Sequence, residues 1–213
     1  MSQTTGAFRP TCESEEKDMV KWLMRRWIRG FERKWDYDAS YMRDMLEASP
    51  RAVWLFSRAA GLGGYRRDIS FEAWSVAGIA AVRQEDCGPC TQLGVSMAER
   101  AGVNPQVLRA VLTDDPDAMP PDVALVWRFT RATLAHDESA DGYRDAIVKE
   151  WGPRALVSLA CAITAARLYP TVKYVMGHGK ACTRIVVDGS PVAVNRDPAL
   201  AVGRMLSRVE RAS

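Results

Sequence analysis

Cys87-Gly88-Pro89-Cys90 is the one local motif in the chain with specific chemical content. Two thiols at that spacing can close a small-ring disulfide, and thiolate is the attacking species in disulfide exchange and peroxide reduction. Leu93, Met97 and Ala101 follow at helical spacing and Gly102 stops the run, so the motif opens a helix. Backbone N–H groups at a helix start lack intrahelical partners and favour a thiolate. They can bring a thiol from a pKa of about 8.5 down to roughly 3.5–7.5. Pro89 suits the first turn, where no N–H is needed. Asp86 reads as the N-cap, although its charge opposes a neighbouring thiolate. Two other readings stand beside the redox one. The pair is half of a zinc site, but no second Cys-x-x-Cys or His pair follows, and Cys161, Cys182, His136 and His178 are scattered. Or it is two inert cysteines at a helix start.

Thiol chemistry also needs a group that moves protons. Glu85 and Asp86 adjoin the motif and are candidates, with a solvated turn and a helix cap as their plain reading. His136 follows a helix and is a candidate or a surface imidazole. Gly177-His178-Gly179-Lys180 is a turn suited to an anion, but it lacks the strand-loop-helix setting of a phosphate loop.

The elements that position these residues read as helices. Met19, Trp22, Leu23, Trp27 and Phe31 recur at three- and four-residue spacing in a helix starting near Glu15. Tyr41, Met42, Met45 and Leu46 mark a second. Ser49-Pro50 opens a third that ends in Gly61-Leu62-Gly63-Gly64. Ser70 caps a fourth, with Glu72 in its first turn and Trp74, Val76, Ile79 and Val82 along it. Asn104-Pro105 opens a short helix after the thiol-bearing one. The Asp- and Pro-rich loop from Asp114 to Pro121 is the best candidate boundary between two halves. Helices follow through Val123 to Leu134, through Tyr143 to Trp151, and from Pro153 through the apolar run Ala155 to Ala166; Pro170 to Met176 adds two turns. Ile185-Val186-Val187 and Val192-Ala193-Val194 flank Asp188-Gly189 as a small hairpin, with Ser190-Pro191 speaking against a strict two-residue turn. Pro198 opens a last helix.

The sequence has 213 residues, 47% hydrophobic and 26% charged, which excludes a disordered or low-complexity chain and suffices for a sizeable core. A net charge of +3 does not mark a nucleic-acid protein. The Ala155–Ala166 run is short of the roughly 20 apolar residues of a spanning helix and fits a buried core helix. The N-terminus has no apolar signal region, so a reducing cytoplasm is expected, where five cysteines do not build a structural disulfide framework.

Cys-Gly-Pro-Cys also occurs in thioredoxins, which need a buried β-branched strand just before it. Here the preceding stretch, Ala73 to Val82, is alanine-rich and helical, so that fold is excluded on context. Phe71-Glu72-Ala73-Trp74, the alanine-rich helix, Cys87-x-x-Cys90 and a helix ending in Ala101-Gly102-Val103 instead resemble the core of the alkylhydroperoxidase D / carboxymuconolactone decarboxylase family. Leu156 to Leu168 resembles the family's later apolar helix, and the similarity covers about residues 45–180. The resemblance implies an all-α fold with an alkylhydroperoxidase D-like bundle over 49–180; outside it, the residue pattern gives a flexible arm at 1–14, a helical extension over 15–48, and a hairpin plus helix over 181–213. It implies a homo-oligomer and thiol-dependent reduction of a small peroxide or disulfide, with Cys90 attacking, Cys87 resolving, Glu72 assisting proton movement and an external dithiol resetting the pair. It implies no metal, haem or flavin. The family's relay histidine falls on Gly94, which cannot carry a proton. Peroxidase chemistry is therefore more affected than plain disulfide exchange. A non-catalytic binding or assembly module on the same scaffold is the alternative; the decarboxylase branch, which lacks the thiol pair, is less favoured.

From Lys17 to Lys34 the chain carries seven basic residues and two acidic ones, interleaved with Trp22 and Trp27. Such a pattern suits a membrane or nucleic-acid surface. The expectation is the plainer one, an amphipathic helix whose Trp/Met/Leu stripe packs on the core or a neighbouring subunit. On that expectation there is no nucleic-acid partner and no stable membrane anchoring.

Overall fold

Apolar residues at three- and four-residue spacing become helices almost throughout. The structure is a computed structural model that describes residues 12–180 and 184–194, with the backbone alone for 12–18 and 184. The described residues form α1 (Cys12–Trp35), α2 (Ser40–Ala48), α3 (Pro50–Ala60), a short 3-10 turn (Gly61–Gly64), α4 (Phe71–Gln84), α5 (Gly88–Arg100), α6 (Pro105–Thr113), a second 3-10 turn (Pro116–Ala118), α7 (Pro121–Ala135), α8 (Ser139–Trp151) and α9 (Pro153–Val175). Two antiparallel strands, β1 (Arg184–Val187) and β2 (Ser190–Ala193), follow. The fold is all-α with a C-terminal hairpin. Of the arm expected at 1–14, residues 12–14 are already helical and residues 1–11 lie outside the described residues, as does the last helix expected after Pro198.

The chain divides into two compact units, Met1–Phe56 and Ser57–Ser213. In the first, α1 starts at Cys12, three residues before the expected Glu15. Its expected packing stripe is on the outside: Met19, Trp22, Leu23 and Trp27 are all more than half exposed. Ile28 is the buried residue, flanked at helical spacing by the half-buried Met24, Phe31 and Trp35. Two apolar rows compete for the inner face of α1, and the one containing Ile28 takes it. Glu32 accepts from the Ala39 N–H (3.1 Å) and pairs with Arg43, while Arg25 grips the Glu47 carboxylate with two bonds of 2.8 Å. Tyr41, Met42 and Leu46 give α2 its buried face.

In the second unit α4 is central. Ala73, Val76, Ala77, Ile79, Ala80 and Ala81 are buried, and these small side chains let α5, α6, α7 and α9 pack around it. The Ser70 side chain accepts from the Ala73 N–H and the Asn104 side chain from the Gln106 N–H, so both expected caps form. The loop from Asp114 to Pro121 does not separate two halves, because α4 and α7, on either side of it, pack directly together and Met119 within it is buried. Asp-Pro composition marks a chain reversal there, not a domain edge.

The apolar run after Pro153 continues past Arg167 as one helix, with Pro170 inside it. By length and composition alone α9 could cross a membrane. In the fold Ala155, Leu159, Ala162, Ile163 and Ala165 are buried, and α4, α8 and the Gly61–Gly64 turn pack on α9. The hairpin does form a two-residue turn. Val187 pairs with Ser190, and both Asp188 and Gly189 have positive φ, so Ser190-Pro191 starts β2 rather than lengthening the loop. Ile185 and Val187 enter the core, and Gln92, Glu99 and Arg109 hold the hairpin backbone against α5 and α6.

At the last turn of α4 the buried Arg83 donates to the Val111 carbonyl and to Asp114, which caps the end of α6. Arg83→Met strands the Asp114 charge and the Val111 carbonyl, and is expected to cost about 3 kcal/mol in denaturant unfolding. Arg144→Ala, which breaks only an exposed pair with Asp141, should stay within about 0.5 kcal/mol.

Candidate functional site

The polar stretch after Val82 is a fixed turn. Arg83 holds α6, Gln84 accepts from Arg131 of α7, and Glu85 pairs with Arg167 of α9. Asp86 is buried in the left-handed conformation (φ 52°), which Asp tolerates better than most residues. Asp86 is therefore not part of a solvated turn, Glu85 is partly exposed in its pair with Arg167, and the N-cap of α5 is Cys87, one residue after the Asp86 expected.

Cys87 and Cys90 stand at the first turn of α5 with their sulfurs at bonding distance and Cα atoms 5.3 Å apart, inside the range for a disulfide. The Cys87 carbonyl accepts from both the N–H and the hydroxyl of Thr91, each at 2.9 Å, which fixes the backbone of the turn. The supply of free donors at the helix mouth is smaller than the sequence suggests. The Gly88 N–H goes to the Lys180 carbonyl (3.0 Å), Pro89 has none, and the Cys87 side chain makes no cap bond.

The surroundings are apolar. Cys87 is 0% exposed and Cys90 5%, with Val82, Ala166 and Tyr169 packed against them. Both residues are buried, Cys90 slightly less completely than Cys87. Pro170 has no N–H for the Ala166 carbonyl, so α9 is without one helical bond beside the pair. Burial holds the Tyr169 phenol above its ordinary value. One turn further along α9, Lys173 is 2% exposed, and the Tyr174 hydroxyl donates to the Asp86 carbonyl (2.9 Å).

The segment after α9 closes this corner. The His178 N–H donates to the Lys173 carbonyl (2.7 Å), and Lys180 accepts from Gly88. Gly179 lies so close to the Tyr174 ring that an added Cβ would fall 2.1 Å from a ring carbon. The Gly177–Lys180 turn and the Cys-Gly-Pro-Cys turn, separate motifs in the sequence, thus form one site. Tyr169, Lys173 and Tyr174 escaped sequence reasoning, since aromatic and long side chains at helical spacing read as core.

Two expected site residues stand elsewhere. Glu72 lies at the far end of α4, twelve residues and about 18 Å of helix from Gln84, where it accepts from the Asn104 N–H (3.2 Å). The intervening helix keeps it from the sulfurs, so its expected part in proton movement there is corrected. His136 takes the exposed left-handed C-cap of α7, and among the described residues its imidazole has no hydrogen bond or ion pair. At Gly94, the position of the relay histidine in the family resembled, an added Cβ would meet the buried Ile79 side chain at 3.3 Å. The close approach of α4 and α5 leaves an apolar neighbour at that point. Among the described residues no three His, Cys, Asp or Glu side chains converge on a metal position, and Cys161 is the free cysteine.

No protein-family model, curated protein or solved structure matches the chain.

Gly179→Ala must displace the Tyr174 ring or the loop itself, and with it the Asp86 and Gly88 contacts. The expected result is a severalfold faster reduction of the Cys87–Cys90 disulfide by dithiothreitol, with thermal stability lowered by only a few degrees.

Proposed function

We propose that the chain is a thiol-dependent oxidoreductase working through Cys87 and Cys90, with disulfides as its better substrates and small peroxides as a second class. The observation that carries this reading is the pair itself, two sulfurs within bonding reach at a helix start. The resemblance to the alkylhydroperoxidase D family supports it.

Cys90, at the position of the attacking sulfur in the family resembled and the less completely buried residue of the two, takes that role here. Its thiolate attacks a substrate disulfide, forms a mixed disulfide and releases the first thiolate, which takes up a proton. Cys87 needs no access to solute, because its only partner is Cys90. Its thiolate displaces the second substrate thiol and closes the Cys87–Cys90 disulfide. An external dithiol, itself oxidised, returns the pair to two thiols. With a peroxide the Cys90 thiolate attacks the distal oxygen, the O–O bond breaks, and the leaving alkoxide takes a proton. Cys87 then displaces water from the Cys90 sulfenic acid. Tyr169, packed on the pair, is the proposed source of that proton and regains it from solvent. Turnover of this kind suits a reducing cytoplasm.

A second reading has an observation of its own. The near-complete burial of the pair and the apolar Ile79 beside Gly94 suit a scaffold whose disulfide serves only packing. Thiol titration separates the two. For the enzyme, one thiol reacts fast at neutral pH and Cys90→Ser abolishes that reactivity; slow, equal reaction of all thiols assigns the scaffold.

In a turnover assay with a small-molecule disulfide, Cys90→Ser should abolish reduction. Cys87→Ser should halt at a mixed disulfide visible by mass spectrometry, and Cys161→Ser should leave the rate unchanged. Absence of a reversible Cys87–Cys90 disulfide in the wild type would overturn the proposal. Tyr169→Phe should slow single-turnover peroxide reduction by about a hundredfold, the range of general acid catalysis. Because its folded pKa is raised, Tyr169 keeps its proton through neutral pH and past about 10, where an ordinary tyrosine ionises. The wild-type rate advantage over Tyr169→Phe should therefore persist past about 10 and fall away only at higher pH.

A further inference from the structure

We propose that the outer face of α1 is a docking surface for an anionic lipid bilayer. Met19, Leu23 and Trp27 are spaced four residues apart and form one row along the helix, with Val20 and Trp22 on either side. All five are exposed, Met19 by 59% and Trp27 by 56%. The row spans eight residues, about 12 Å. Two tryptophans on such a face match the headgroup region of a bilayer, where an amphipathic ring meets both acyl chain and water.

The charges on the same face point to the sign of the partner. Arg26, Arg29, Arg33 and Lys34 are exposed, and none has a carboxylate partner among the described residues, whereas Arg25 and Arg43 on the inner side are paired with Glu47 and Glu32. Arg26 lies over the Trp22 ring at 6.0 Å, so one cation is already carried on the aromatic surface. From Met19 to Lys34 the only carboxylate is Glu32, which faces inward to Ala39 and Arg43. Long basic side chains flanking an apolar row keep their heads at the headgroup level while the row enters the acyl boundary.

A second copy of the chain fits this face less well. A two-fold contact would set Arg26, Arg29 and Arg33 against their own counterparts with no acid between them. Nucleic acid would satisfy the cations but leave Met19, Val20 and Leu23 without a partner.

The test uses the full chain with vesicles of phosphatidylcholine alone and of equal parts phosphatidylcholine and phosphatidylserine. The protein should float with the mixed vesicles only, and high salt should release it. Arg26→Gln/Arg29→Gln/Arg33→Gln should weaken binding about a hundredfold, about fivefold per charge. Trp22→Ser/Trp27→Ser should abolish it with circular dichroism unchanged, since both side chains lie outside the fold. Failure of the wild type to bind, or binding indifferent to either variant, overturns the proposal. So does a wild-type oligomer that Trp22→Ser/Trp27→Ser converts to a smaller particle without any vesicle binding. Duplex DNA binding as tight as vesicle binding, and unaffected by the tryptophan changes, assigns the face to nucleic acid instead. None of these outcomes depends on the thiol pair.

Discussion

The buried guanidinium of Arg83 is the constraint on which the thiol site depends. It ends α4 by bonding the carbonyl of Val111 and the carboxylate of Asp114, and so locks the last turn of the central helix to the last turn of α6. A buried arginine is stable only when its donors are met, and here the chain reversal after α6 exists to meet them. The two residues that follow extend the same logic, with Gln84 on Arg131 and Glu85 on Arg167. Three successive side chains thus tie one helix end to three different helices. Asp86 then adopts a left-handed conformation, and Cys87 leaves the turn already aimed along α5.

Preorganisation of that kind sets the chemistry available to the pair. A thiol at an open helix start is activated by unsatisfied N–H groups and by water. At this site Lys180 takes the first N–H, Pro89 removes the second, and Val82, Ala166 and Tyr169 exclude most water. What remains is proximity. Cys87 has Cys90 within bonding reach, so in the proposed exchange the second half is intramolecular and draws its rate from a high effective concentration rather than from strong ionisation. Such an arrangement suits disulfide exchange, whose leaving thiolate needs little help, better than peroxide cleavage, whose alkoxide needs a proton.

Local signals were legible in the sequence wherever a residue acts on its own neighbours. Ser70 and Asn104 cap the helices that they precede, Asp188-Gly189 makes the hairpin turn, and the Cys spacing places both sulfurs on one helical turn. What was not legible depends on choices among distant partners. Both Met19-Leu23-Trp27 and Met24-Ile28-Phe31-Trp35 have helical spacing on α1, and only tertiary packing decides that Ile28 goes inside. Glu72 fails for a different reason. Its place beside the thiols was implied by resemblance, and the straight run of α4 carries it to the opposite end, onto Asn104. Tyr169 and Tyr174 meet the thiol turn only because α9 runs unbroken through Pro170, beyond the apolar stretch that marks the helix in sequence.

The segment after α9 therefore belongs to the site rather than being an appendage to the fold. Gly179 packs against Tyr174 at a distance that no side chain permits, and Tyr174 in turn bonds the carbonyl of Asp86. The next residue, Lys180, supplies the acceptor for the first N–H of α5. Beyond it, the hairpin is fixed along α5 through Gln92, one turn past the thiols, and Glu99. The side chains packed on the pair come from α4 and α9, Val82 from the first and Ala166 and Tyr169 from the second. Tyr174 thus couples this loop to the turn that carries the thiols: a change that moves the Gly179 contact acts on the Asp86 carbonyl, directly before Cys87.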